Sequence, residues 1–168
     1  VAVIPVMIGV AIWILNREEE VENRVISEVI EPGQVKATLV LPGGTTLALK
    51  GMKQEEIEVG EGLKAKRTSG GLVYDSGIDG KEEKLQYSVL KIPRGGEFHL
   101  TLSDGTSVML NSATNLEYPV RFGKEERKVY LDGEAYFEVK KDANRPFYVH
   151  TEAGKVRVLG TAFNVCAY

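Results

Sequence analysis

An all-β fold assembled from hairpins is predicted by three features of this 168-residue sequence. Apolar residues alternate with polar ones in stretches such as Phe98-Leu100-Leu102 and Val129 to Val139, which is the period of a half-buried strand. Short turns containing glycine interrupt those stretches. One strand-turn-strand pattern also occurs twice: residues 32–50 align without gaps on residues 93–111, with Leu39 on Leu100, Leu41 on Leu102, Gly44 on Gly105 and Leu49 on Leu110. A unit repeated at fixed offset points to a twisted, solenoid-like stack in which each unit buries its face against a neighbour. Two similar hairpins in a β-sandwich are the alternative.

The first 16 residues read as part of a transmembrane helix. Residues 1–15 carry no charge and are followed by Asn16 and Arg17, with Trp13 placed for an interfacial aromatic belt. A spanning helix needs about 20 apolar residues, so the run is expected to be the remainder of a longer membrane segment. A signal peptide would show a basic start and a small-residue cleavage site, and Asn-Arg-Glu-Glu-Glu offers neither. Pro5 would kink such a helix, and a buried core element is the competing reading of the run. Residues 17–30 are acidic and read as a juxtamembrane linker that ends in a strand near residues 25–30.

Residues 31–90 form the first β unit. Its hairpin turns at Pro42-Gly43-Gly44, with proline fixing φ and glycine taking the left-handed position. Short strands are expected at residues 55–59, 63–66 and 71–74, and an exposed polar loop at residues 75–84.

Residues 91–168 form the second unit, led by a strand at residues 85–91. Its central hairpin turns at Ser103-Asp104-Gly105, and parity decides the loop length. A two-residue loop would send Val108 and Leu110 to the face opposite Leu100 and Leu102. A three-residue loop pairs Leu102 with Thr106, Leu100 with Val108 and Phe98 with Leu110, so five apolar side chains share one face. Gly105 then supplies the left-handed residue of the bulge. Beyond it, Ser112 is positioned to cap one helical turn ending before Pro119. Residues 128–139 alternate over their whole length, with Val129, Leu131, Gly133, Ala135, Phe137 and Val139 on the core side. Gly133 in mid-strand implies a bulge or a close backbone approach. Strands follow at Phe147 to Thr151, Val156 to Val158 and Phe163 to Ala167.

The net charge of −3 gives no basic footprint, which argues against direct nucleic-acid binding. Cys166, the single cysteine, sits between Val165 and Ala167 and reads as a small apolar filler. His99 and His150 lack zinc-ligand spacing and read as surface or satisfied side chains, so no metal or other cofactor is implied. Glu134 and Glu138 would stand ~14 Å apart along one strand, wide for a glycosidase pair, which needs less than ~10 Å.

The runs PRGGEFHLTLSDGTSVMLNSATNLEYPVRF, RKVYLDGEAYFEV, RPFYVHT and VRVLGTAFNV resemble the FecR-type periplasmic domain of transmembrane anti-sigma regulators, in the family's order and spacing from Pro93 to Tyr168. The Pro42-Gly43-Gly44 turn departs from the Asp-Gly turn usual in that family. The resemblance implies a single-pass inner-membrane protein with residues 17–168 in the periplasm. It implies further that an N-terminal part restrains an extracytoplasmic-function (ECF) sigma factor. A domain beyond residue 168 would meet the signalling domain of a TonB-dependent outer-membrane transporter, which leaves this chain as spacer and scaffold rather than enzyme.

Some members resemble self-cleaving proteins cut at a Gly-Thr bond, and Gly160-Thr161 occupies the matching place. There the threonine hydroxyl would attack the preceding carbonyl, exchanging amide for ester before water completes the cut. A turn or bulge glycine followed by a β-favouring threonine is the alternative. A different class of function, a periplasmic carbohydrate-binding module, would use Tyr118, Tyr130 and Tyr136 as a stacking surface.

Overall fold

The computed structural model describes residues 34–50, 55–60, 63–68, 71–74 and 85–168. The expected membrane segment, residues 1–16, and the linker, residues 17–30, lie outside the described residues, as does the polar loop at 75–84. Fourteen strands and no helix are found among the described residues. They are β1 (Gln34–Val35), β2 (Thr38–Val40), β3 (Thr46–Ala48), β4 (Glu56–Gly60), β5 (Leu63–Arg67), β6 (Gly71–Tyr74), β7 (Tyr87–Ile92), β8 (Gly96–Thr101), β9 (Ser107–Leu110), β10 (Thr114–Pro119), β11 (Arg127–Glu138), β12 (Phe147–Thr151), β13 (Gly154–Val158) and β14 (Ala162–Ala167).

Both repeated hairpins take the three-residue turn. In β8-β9, Leu100 pairs with Val108 and Phe98 with Leu110. In β2-β3, Leu39 pairs with Leu47, the equivalent register. Each turn closes the same way, Gly105 N–H donating to Leu102 O at 2.9 Å and Gly44 N–H to Leu41 O at 3.0 Å. Gly105 and Gly44 have φ of 86° and 89°, in the left-handed region where a side chain would be strained. The solenoid-like expectation of one hairpin design used repeatedly is compatible with this arrangement.

The two hairpins join different runs of strands, and β11 belongs to both. Its first half pairs with β10 and, in parallel, with β12. Its second half, from Gly133 onward, pairs with β9 and β14. One run therefore proceeds β3-β2-β7-β10-β11-β12-β13, and the other β11-β9-β8-β6-β5-β4 with β14 on the far side of β11. The change of partners falls at Gly133, whose φ is 114°. A Cβ there would lie 2.7 Å from the Thr114 Cα, so the strand can bend against β10 only with glycine at this position.

Alternation along β11 sends Val129, Leu131, Ala135 and Phe137 into a single core that receives Leu90, Leu116 and Val149 from one run and Leu72, Leu100 and Val108 from the other. Across that core, the Tyr74 and Tyr118 hydroxyls meet at 2.8 Å, and Phe137 lies 6.1 Å from Phe147 and 5.4 Å from Phe163 between ring centroids. Burying a phenol without losing its hydrogen bond joins two apolar rings by a polar contact that costs little desolvation.

Burial pushes the Tyr118 phenol well above its ordinary range and raises that of Tyr74. A raised folded-state value means that the neutral form is favoured by folding. The stabilisation is complete below the unfolded value of about 10 and is lost as pH climbs through the higher folded one. The melting temperature is therefore expected to hold to about pH 9.5 and fall steeply above about pH 10, with Tyr118→Phe flattening that fall. A wild-type melting temperature unchanged to about pH 12 would contradict the coupling.

Two expectations are corrected. The helical turn near residues 112–118 is instead the strand β10. Thr114, Leu116 and Tyr118 alternate into the core, and this period-2 burial overrides the capping potential of Ser112. Asn111, Ser112 and Ala113 form a tight turn, with Ala113 at φ 54° and the Asn111 side-chain oxygen accepting from Ser112 N–H at 2.7 Å. Cys166 is exposed, opposite Glu134 in the β11-β14 ladder, because the core side of β14 is taken by Phe163, Val165 and Ala167.

Candidate functional site

Two arrangements stand out: a buried clamp under the Asp104 turn, and the solvent face of β8, β9, β11 and β14.

The clamp begins with the turn of the central hairpin. Asp104 accepts from Thr106 N–H at 2.9 Å and from the Thr106 hydroxyl at 2.7 Å, the turn that a short carboxylate makes with the backbone two residues on. Its Oδ2 also accepts from Arg127 Nη1 at 2.8 Å. Arg127 has no exposed surface and the Asp104 side chain is 3% exposed, so this is a buried charge pair. The same guanidinium donates from Nη1 to Lys140 O at 2.8 Å and from Nε to Arg145 O at 2.9 Å, and stacks 5.4 Å from the Phe147 ring centre. Arg127 thus ties the central turn to the connection between β11 and β12.

That connection in turn holds Gly160-Thr161. Val139 N–H donates to Thr161 O at 3.0 Å and Asp142 N–H to Leu159 O at 2.9 Å. A Cβ on Gly160 would lie 2.4 Å from the Lys141 Cα, and the residue has φ 149°. Close backbone approach therefore requires the glycine. Thr161 is exposed.

On the solvent face, His99, Met109, Tyr136 and Asn164 form one cross-strand row, and Thr101, Ser107, Glu138 and Ala162 the next. Beside the first row, the Glu134 carboxylate accepts from Asn164 Nδ2 at 2.8 Å and from Asn111 Nδ2 at 2.9 Å. These amides hold its pKa below the usual carboxylate range, Asn164 first and Asn111 second. His99 Nε2 is 2.8 Å from the Ser107 hydroxyl. Met109 is 58% and Tyr136 37% exposed, on the floor of a groove of about 560 Å³ edged by Glu97 and Glu134.

Among the other residues singled out in the sequence, Pro42, Gly43 and Gly44 form the turn of the first hairpin, and Ser103 lies with Asp104 and Gly105 in that of the second. The stacking surface of Tyr118, Tyr130 and Tyr136 does not exist as drawn. Tyr118 is 1% exposed with its hydroxyl bonded to Tyr74, because it occupies a core position of β10 rather than a helical turn. Tyr130 stands on the other half of β11, 5.4 Å from His150 and 6.3 Å from Tyr87 between ring centres. Among the described residues no cluster of three or more His, Cys, Asp or Glu is disposed to hold a metal ion. Arg127 was missed by sequence reading, since an arginine opening a strand ordinarily faces water. The signal available was the alternation itself, which puts residue 127 on the side of Val129 and Leu131.

Residues 88–168 match the family model described as FecR protein. This part of the chain is similar to that family, and the strands from β8 to β14 and all of β7 but its first residue, with both the clamp and the groove, fall within it. Two crystal structures of a candidate anti-sigma factor from Parabacteroides distasonis ATCC 8503 are similar to it, at 41% and 42% identity and TM-scores of 0.48 and 0.47. They cover 49% and 48% of this chain, which spans 38% of the length of each. Comparison with curated proteins returns no match.

Proposed function

We propose that this chain is the periplasmic β scaffold of a single-pass inner-membrane anti-sigma regulator, relaying a signal from a TonB-dependent outer-membrane transporter to a cytoplasmic ECF sigma factor. The observation that carries this reading is the FecR match over residues 88–168. The uncharged residues 1–15, with Trp13 near their end and Arg17 shortly after it, support the membrane placement. In this reading the sigma factor binds a part of the protein N-terminal to the membrane segment. The transporter's signalling domain meets a part beyond residue 168, and the hairpin-built domain carries the event between them.

The test is affinity capture of the full-length protein from solubilised membranes, with and without the inducing transporter. Recovery of a sigma factor and of a transporter signalling domain is expected. Recovery of neither, with the membrane fraction empty of the protein, would overturn the reading.

The Gly160-Thr161 bond is the place where self-processing would act. Packing against Lys141 already accounts for the glycine, so the purified chain is expected to give one full-length intact mass. A fragment beginning at Thr161 would instead establish cleavage there.

A further inference from the structure

The groove on the outer face of β8, β9 and β11 is not used by the relay described above, and its chemistry selects a ligand. Its floor is the exposed thioether of Met109 beside the Tyr136 ring, neighbours in one cross-strand row. Two carboxylates edge it, Glu97 on β8 and Glu134 on β11, and a third, Glu138, stands exposed in the adjoining row. None of the eight residues in the two rows is lysine or arginine. The nearest lysine along the second row is Lys66, on β5 beyond β6.

Glu134 is the fixed element. Both of its oxygens accept from asparagine amides, one on the turn after β9 and one on β14, so the carboxylate is held in place before any ligand arrives. An oriented carboxylate retains further lone-pair sites for a donor from outside, and a preorganised charge loses little side-chain entropy on binding. Methionine adapts to irregular apolar surfaces, and tyrosine offers a large rigid contact with two rotatable angles. A neutral sugar would gain from the ring but has no need of the Glu97 and Glu134 carboxylates beside it. A cation beside an apolar anchor satisfies both features at once.

We infer that this groove docks an extended cationic polypeptide segment of a partner protein, with an apolar side chain on Met109 and Tyr136 and lysine or arginine side chains on Glu97 and Glu134. The inference stands on the groove alone and does not depend on which sigma factor or transporter the protein serves.

The experiment follows the Met109 methyl resonance of the 168-residue chain in neutral detergent. The chain holds three methionines, so Met109→Leu assigns the signal by its disappearance. The probes are the peptide KLKYKLK, its acidic counterpart ELEYELE, and chito- and malto-oligosaccharides. Saturable shifts with the cationic peptide alone are expected. They should weaken about tenfold when Glu97→Gln is combined with Glu134→Gln, and also in about 0.5 M salt on the unaltered chain. The salt arm keeps the test decisive should the double variant fold poorly. No shift with the cationic peptide, an equal shift with the acidic one, insensitivity to salt, or a response to oligosaccharide alone would each overturn the proposal.

Discussion

Replacing Arg127 with methionine is expected to cost about 3–5 kcal/mol of folding stability, because it leaves one partner of a buried charge pair alone. Asp104 would keep only its two contacts to Thr106, and the carbonyls of Lys140 and Arg145 would lose their guanidinium donors. Water cannot readily replace them, since the Asp104 side chain is 3% exposed and Arg127 wholly buried. A domain typically has about 5–15 kcal/mol in total, so the variant would sit near the threshold of folding. Asp104→Asn should be destabilising for the converse reason, an uncompensated guanidinium. Combining Arg127→Met with Asp104→Leu should recover part of the loss, because the isolated charge disappears along with its partner. Urea unfolding of the three variants measures all of this. A loss under about 1 kcal/mol for Arg127→Met would show that the pair contributes no more than an exposed one.

Gly133→Ala is expected to be nearly as damaging, through backbone rather than charge. The added Cβ would stand 2.5 Å from the Thr114 hydroxyl oxygen and 2.7 Å from the Thr114 Cα, on a residue with φ 114°. Strain at such a φ costs of order 1–3 kcal/mol and forced overpacking a similar amount, so a combined loss of about 3 kcal/mol or more is expected. The hydroxyl also matters positively: it donates to Glu134 O at 3.1 Å and accepts from Glu134 N–H at 3.0 Å, tying β10 to the bend in β11. Thr114→Ala would remove the hydroxyl but not the Cα, and should rescue Gly133→Ala only in part. Full rescue in thermal melts would place the obstruction in the side chain and contradict a backbone cause.

Much of the fold was legible because strand register is a parity problem. Phe98, Leu100, Leu102, Val108 and Leu110 can share a face only with a three-residue turn, and the β8-β9 ladder has that register. The core side of β11 could likewise be read from alternation alone. What could not be read is which strands meet at long range. Nothing local reveals that β11 changes partners at Gly133, or that β12 joins it in parallel after a connection containing Asp142 and Arg145. The clamp was half legible. Asp104 announces itself as a turn residue, but its cation lies 23 residues away, and a buried arginine contradicts the usual preference of that side chain for water. Tyr118 and Cys166 were misplaced for related reasons. An apparent cap at Ser112 obscured a strand, and a cysteine between small apolar residues was assigned to the core although its neighbours on either side hold the inward positions.

The relay proposed above requires the two runs of strands to behave as one body, joined through β11. Hydrogen exchange of the β11 amides tests this most directly, since each amide reports the free energy of the opening that exposes it. The expected result is one common, global protection level from Val129 through Phe137, lowered equally on both sides of Gly133 by Arg127→Met. Two separate levels, with residues 127–132 opening independently of residues 134–138, would mean that the runs are distinct units and would contradict the account.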